Sequence, residues 1–213
     1  MVREMIEFLM KNAENNNSKL PKIEDFPIKE QTLLVLYYQT YTITKIGLPT
    51  ASLIMQGVLM EHFINFLYYH HKNKEFKGKD LFNLIKACKD ENLFSKDSRT
   101  NENYYNFFDD FRRNIRIPQI HFLSQRQTKG MGVRGVRLKI PIDVTEEEFK
   151  KLTEDAIKNF SEKSEILSTA ENPAIANALK IEIDNKTYLE QFCEFNRKIM
   201  DLNKINNLDH NQG

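Results

Sequence analysis

The sequence predicts a mainly α-helical bundle carrying one inserted β-hairpin at about residues 119–142. Three observations lead there. Apolar residues recur at three- and four-residue spacing over most of the chain. They alternate strictly only near Gln119 to Ile142. The 213 residues, 40% hydrophobic and 29% charged with only 7 Gly and 6 Pro, suit one packed core that needs no staples.

From the N-terminus, Met5, Ile6, Leu9 and Met10 give a short amphipathic helix over residues 1–13, and the polar residues 14–18 read as a loop. Pro21 and Pro27 bound a connector. Residues 29–46 have the apolar density of a buried helix, although Thr42, Ile43 and Thr44 are β-branched and favour strands. Pro49 and Thr50 are good helix-start residues for a central helix to His71, with Leu53, Ile54, Val58, Met60, Phe63, Ile64 and Leu67 around most of its surface. Leu81, Leu84, Ile85 and Cys88 mark a helix over residues 79–90, and Thr100 or Asn101 could cap the next one. That helix carries the stripe Tyr104, Phe107, Phe108, Phe111 and Ile115 and runs until Pro118 makes continuation costly.

The period then changes. Ile120 and Phe122 alternate, residues 129–132 supply turn residues, and Val136, Leu138, Ile140 and Ile142 alternate with Arg137, Lys139 and Pro141, which marks an edge strand. Thr145 before Glu146, Glu147 and Glu148 opens a helix to Lys163, and residues 186–202 give the last one. Residues 164–185 read either way. Residues 1–202 are expected to form a single domain with an N-terminal helix and a C-terminal helical extension, and residues 203–213 a disordered tail.

Composition limits function. Cys88 and Cys193 sit in no metal-ligand spacing and cannot make a disulfide framework, so neither a metal nor a cofactor is expected. The charged residues Arg3, Glu4 and Glu7 argue against a signal peptide, and Gln39, Lys45 and Pro49 interrupt the most apolar stretch, so a cytoplasmic protein outside the membrane is expected. Net charge is only +1, but its distribution is polarised. Between Phe111 and Ile142 stand eight basic residues, Arg112, Arg113, Arg116, Arg126, Lys129, Arg134, Arg137 and Lys139, with no Asp or Glu. Six are arginines, whose forked guanidinium matches phosphate oxygens, so RNA or another polyanion is the expected partner. The competing reading pairs Asp109 with Arg113 one turn on and leaves the rest as a solvated face.

Within that segment lies Arg112-Arg113-Asn114-Ile115-Arg116-Ile117-Pro118-Gln119-Ile120-His121, at the end of the aromatic-striped helix. Here the chain resembles the HEPN family of small helical domains, whose members carry an Arg, commonly followed by Asn, Asp or His, and a His four to six residues further on. Arg116 fits that spacing to His121, with Ile117 in the place of the polar residue. Arg113-Asn114 fits the pair, with seven residues before His121. The run from Ala51 to Glu61 is similar to the family's preceding helix, which often places a Glu in an apolar stretch. The resemblance spans about residues 29–163. It implies metal-independent RNA cleavage at a site shared across a homodimer, with His121 as general acid or base and Arg113 or Arg116, with Asn114, at the scissile phosphate. It equally implies the family's other role, a non-catalytic dimerisation or adaptor module. Active members are often toxin or antiviral-defence nucleases.

The remaining signals read as structure. His62, His70 and His71 belong to the central helix, Cys88 and Cys193 to apolar helix faces, and Tyr37, Tyr38 and Tyr41 to packing. Gly130, Gly132 and Gly135 have dinucleotide-loop spacing but precede an alternating strand, which lacks the helix N-terminus a pyrophosphate needs.

Overall fold

The computed structural model describes residues 2–78, 80–117, 128, 131–136, 143–170 and 173–208. Among them are eight α-helices: α1 Val2–Asn17, α2 Gln31–Lys45, α3 Pro49–Lys72, α4 Leu81–Asp90, α5 Ser98–Phe111, α6 Glu146–Lys158, α7 Phe160–Lys163 and α8 Pro173–Asn206. A 3₁₀ turn at Ile23–Asp25, a π-helix at Arg112–Arg116 and two antiparallel strands, β1 Gly132–Gly135 and β2 Glu165–Ser168, join them. The predicted class, a helical bundle with a small two-stranded sheet, is the observed one. The chain divides into two compact units, Met1–Leu123 with Ile181–Gly213, and Ser124–Lys180.

The first unit is built on α3. Leu53, Leu59, Met60, Phe63, Ile64 and Leu67 are each at most 1% exposed, whereas Ile54, Met55, Val58 and Phe66 are half-buried. Around it pack Tyr37 of α2, Ile85 and Cys88 of α4, Phe108 of α5 and Phe192 and Phe195 of α8. Rings stack along this core: Phe26 on Tyr37 at 3.9 Å, Phe94 on Phe108 at 5.3 Å. The threonines of α2 suit a helix because Thr40, Thr42 and Thr44 donate their hydroxyls to the carbonyls of Leu36, Tyr38 and Thr40, at 2.7, 2.8 and 2.7 Å. Buried polar groups join the helices as well. The Gln56 amide donates to Ser52 Oγ and to the Tyr188 carbonyl, both at 3.0 Å, and Thr44 and Ser52 share a hydroxyl bond of 2.6 Å.

Several boundaries differ from the sequence reading. Helix α1 runs through the expected loop to Asn17, because Asn16 leaves solvent and donates to the Lys45 carbonyl at 3.1 Å and to Tyr188 Oη at 3.0 Å. Its apolar residues Val2, Met5, Ile6, Phe8 and Met10 are exposed instead of packed. The cap of α5 is Asp97, three residues earlier than expected, and it accepts the Thr100 N–H at 2.8 Å while Asn101 turns inward to the Lys89 carbonyl. Helix α8 takes in the ambiguous segment from Pro173 and continues to Asn206, and Leu208 beyond it is buried, so residues 203–208 are ordered structure where a disordered tail was expected. Residues 209–213 lie outside the described residues.

In the second unit, Thr145 and Glu148 form the capping box that starts α6, and the helix breaks at Asn159 before the short α7. Strand β1 falls within the expected hairpin, but it pairs with β2 across α6 and α7, with Val133 opposite Leu167 and Arg134 opposite Ile166. Residues 119–127, 129–130 and 137–142 of the expected hairpin lie outside the described residues.

Candidate functional site

Helix α5 ends where the motif begins. The π-helix closes on a bond from the Ile117 N–H to the Arg112 carbonyl, five residues back, which inserts one extra residue into the turn. The insertion separates the three arginines. Arg112 and Arg113 fold back on α5, where Asp109, only 4% exposed, accepts Arg112 Nε at 2.9 Å and Nη2 at 2.6 Å on one oxygen and Arg113 Nη2 at 2.5 Å on the other. The Arg112 guanidinium also lies 5.1 Å from the Phe82 ring centre. The pairing of Asp109 with Arg113 is thus present, and Arg112 shares it.

Arg116 turns the other way, towards α3. Its Nη2 donates to Glu61 Oε2 in a short ion pair between segments 55 residues apart in sequence. Its stem lies on Gly57, one turn before Glu61. A Cβ at Gly57 would stand 3.0 Å from Arg116 Cγ and 3.3 Å from its Cβ, so any larger residue there would force the Arg116 stem to shift by a few tenths of an ångström. The Arg116 side chain is 21% exposed, and its Nε–H is buried and meets no acceptor among the described residues. Gly57 and Glu61 therefore form a cradle that fixes one edge of the guanidinium and leaves several N–H donors uncommitted to Glu61.

Asn114 points elsewhere, into a cavity of about 260 Å³ between α5 and α8 lined also by Phe107, Asp110, Phe111, Ile115, Gln191 and Glu194. Arg134 lies on exposed β1 of the second unit. His121, Arg126, Lys129, Arg137 and Lys139 lie outside the described residues. Of the candidates, the structure brings Arg112 and Arg113 together on Asp109 and sets Arg116 apart on Glu61. Gly57 was the residue missed. The available signal was a lone glycine inside an apolar helix, which costs stability unless close packing requires it.

Burial pushes the Cys88 thiol up to about 12, and both cysteines are free. No group of three or more His, Cys, Asp or Glu that could hold a metal ion occurs among the described residues, and none of the described helices is long and apolar enough to cross a membrane. Comparison with protein-family models, curated proteins and solved structures gives no match.

Proposed function

We propose that this chain is a HEPN-like, metal-independent endoribonuclease of a cytoplasmic defence or toxin type, working as a homodimer and cutting RNA by attack of the 2′-hydroxyl. The observation that carries the reading is the ion pair of Arg116 with Glu61. The resemblance asks for an arginine four to six residues before a histidine and often places a Glu in the preceding apolar helix, and that arginine and Glu meet here across 55 positions of sequence. Their pairing favours Arg116 over Arg113 as the motif arginine, since Glu61 stands on the preceding helix whereas Arg113 pairs with Asp109 one turn back in its own helix.

In this reading His121 takes the proton of the 2′-hydroxyl, an imidazole being able to do so near neutral pH. The 2′-oxygen attacks the adjacent phosphorus, and the 5′-oxygen leaves and acquires a proton. The products are a 2′,3′-cyclic phosphate and a 5′-hydroxyl end. Arg116 stabilises the charge that develops on the phosphate oxygens, and Glu61 with Gly57 holds the guanidinium in position before substrate arrives.

One observation favours a non-catalytic RNA-binding or adaptor module instead. Arg112, Arg113 and Arg116 are all paired with carboxylates, which lowers their net attraction for phosphate. Single-stranded RNA incubated with the protein in excess chelator separates the two. The nuclease yields cyclic phosphate ends and spares a substrate lacking the 2′-hydroxyl at the cut; the module binds RNA and leaves it whole. Sedimentation at micromolar concentration should give a dimer, and a strict monomer would remove the shared site.

A further inference from the structure

The first unit also holds an open groove of about 660 Å³ that the proposed reaction does not use. It is lined by Glu30, Thr32 and Leu33 at the start of α2, by His62, Asn65, Phe66 and Tyr69 along α3, and by Glu75 and Phe76 just beyond it. Two carboxylates, three aromatic rings and an amide share this surface, and no Lys or Arg lines it among the described residues.

We propose that this groove binds the arginine side chain of a basic polypeptide partner. The charge is the first argument. The Glu30 carboxyl is ionised below the ordinary range: burial would raise it, but the N–H groups of Leu33 and Thr32, the Thr32 hydroxyl and nearby His62 outweigh that. It accepts those two N–H groups at 2.7 and 3.1 Å, one on each oxygen, as the cap of α2, which fixes its negative charge at this end of the groove. An anionic, carboxylate-lined groove repels phosphate and attracts a cation. A metal ion does not suit it, because the groove's carboxylates and imidazole are not among any group placed to hold one. A guanidinium does: it is planar, stacks on aromatic faces, and brings donors matched to carboxylates. The open shape argues for a polypeptide over a free small molecule. From His62 to Tyr69 the α3 wall extends for about 10 Å, which suits a chain segment lying along the helix with one side chain inserted.

The test is titration with a fluorescein-labelled hexapeptide of alternating leucine and arginine, beside the same peptide with citrulline in place of arginine, free arginine amide and a six-nucleotide RNA. Full-length protein and the variants Glu30→Gln, Glu75→Gln and Tyr69→Ala are compared, with amide cross-peaks followed by NMR. Tyr69, 52% exposed, and exposed Glu75 can be replaced without touching the core. We expect the citrulline peptide to bind at least about tenfold more weakly, Tyr69→Ala to lose about two- to fivefold, and the Asn65 and Phe76 cross-peaks to move. Equal binding of the citrulline peptide, or binding that ignores all three variants, would overturn the site. So would free arginine binding as tightly as the peptide, or the RNA moving the same cross-peaks. Absence of any peptide binding would overturn it too.

Discussion

Arg116 and Gly57 show how one missing side chain can position one charge. The guanidinium reaches Glu61 because nothing projects from Gly57 beneath its stem. Gly57→Ala should therefore destabilise the protein by about 1–3 kcal/mol in urea titration, although a glycine-to-alanine change inside a helix normally stabilises. An increase in stability would mean that the contact relaxes freely. Asp109 is the second such residue. Being buried and bonded to two guanidinium groups, its replacement by Asn should cost about 1.5–3 kcal/mol by the same measurement, since a charged acceptor is lost while both arginines stay.

At the scale of elements, the two ends of α1 behave differently. Helix α1 is held at its C-terminal end by Asn16, while its first ten residues leave Val2, Met5, Ile6, Phe8 and Met10 exposed. Asn16→Ala should cost about 1–3 kcal/mol by leaving the Lys45 carbonyl and Tyr188 hydroxyl without this donor. Hydrogen exchange should then rise along all of α1; unchanged exchange would show that other contacts hold the helix. The positions of α2 to α5 were legible because their buried residues repeat with the helical period, as in Leu81, Leu84, Ile85 and Cys88. What sequence hid was tertiary. Asn16 looks like a loop residue until its partners 29 and 172 residues away are known. The β1–β2 pairing spans α6 and α7, and no local turn signals it. The π-helix is likewise silent, because one extra residue in a turn changes which arginine faces α3 without changing composition.

For the whole molecule, acid should be destabilising in two stages. His71 is held below its ordinary 6.5 by burial first, with His70, Lys96 and Lys72 acting in the same direction and a bond from Asn206 opposing them. The unfolded chain therefore takes up this proton more readily, and stability falls as pH drops through 6.5. Glu30 and Asp97 lie below their ordinary values of 4.5 and 3.8, so the stability they contribute is present above those values and is lost as pH falls through the lower folded ones. Thermal unfolding between about pH 7 and 5 should show the first stage, and His71→Gln should flatten it. An unchanged profile in that variant would assign the stage to another group. In the candidate site, the basic segment and the motif were visible from sequence, whereas the choice between Arg113 and Arg116 needed the partners Asp109 and Glu61.

The proposed cleavage is decided by the rate at which purified protein cuts single-stranded RNA in chelator, measured for the natural chain beside His121→Ala, Arg116→Ala, Arg113→Ala and Glu61→Gln. The rate should fall about 100- to 10,000-fold in His121→Ala, about 100- to 1,000-fold in Arg116→Ala, and about tenfold or more in Glu61→Gln through a misplaced guanidinium. Arg113→Ala should stay close to the natural rate, and all four variants should remain folded. Cleavage that survives His121→Ala, stops with chelator, or fails with Arg113→Ala while persisting with Arg116→Ala would contradict the proposed mechanism.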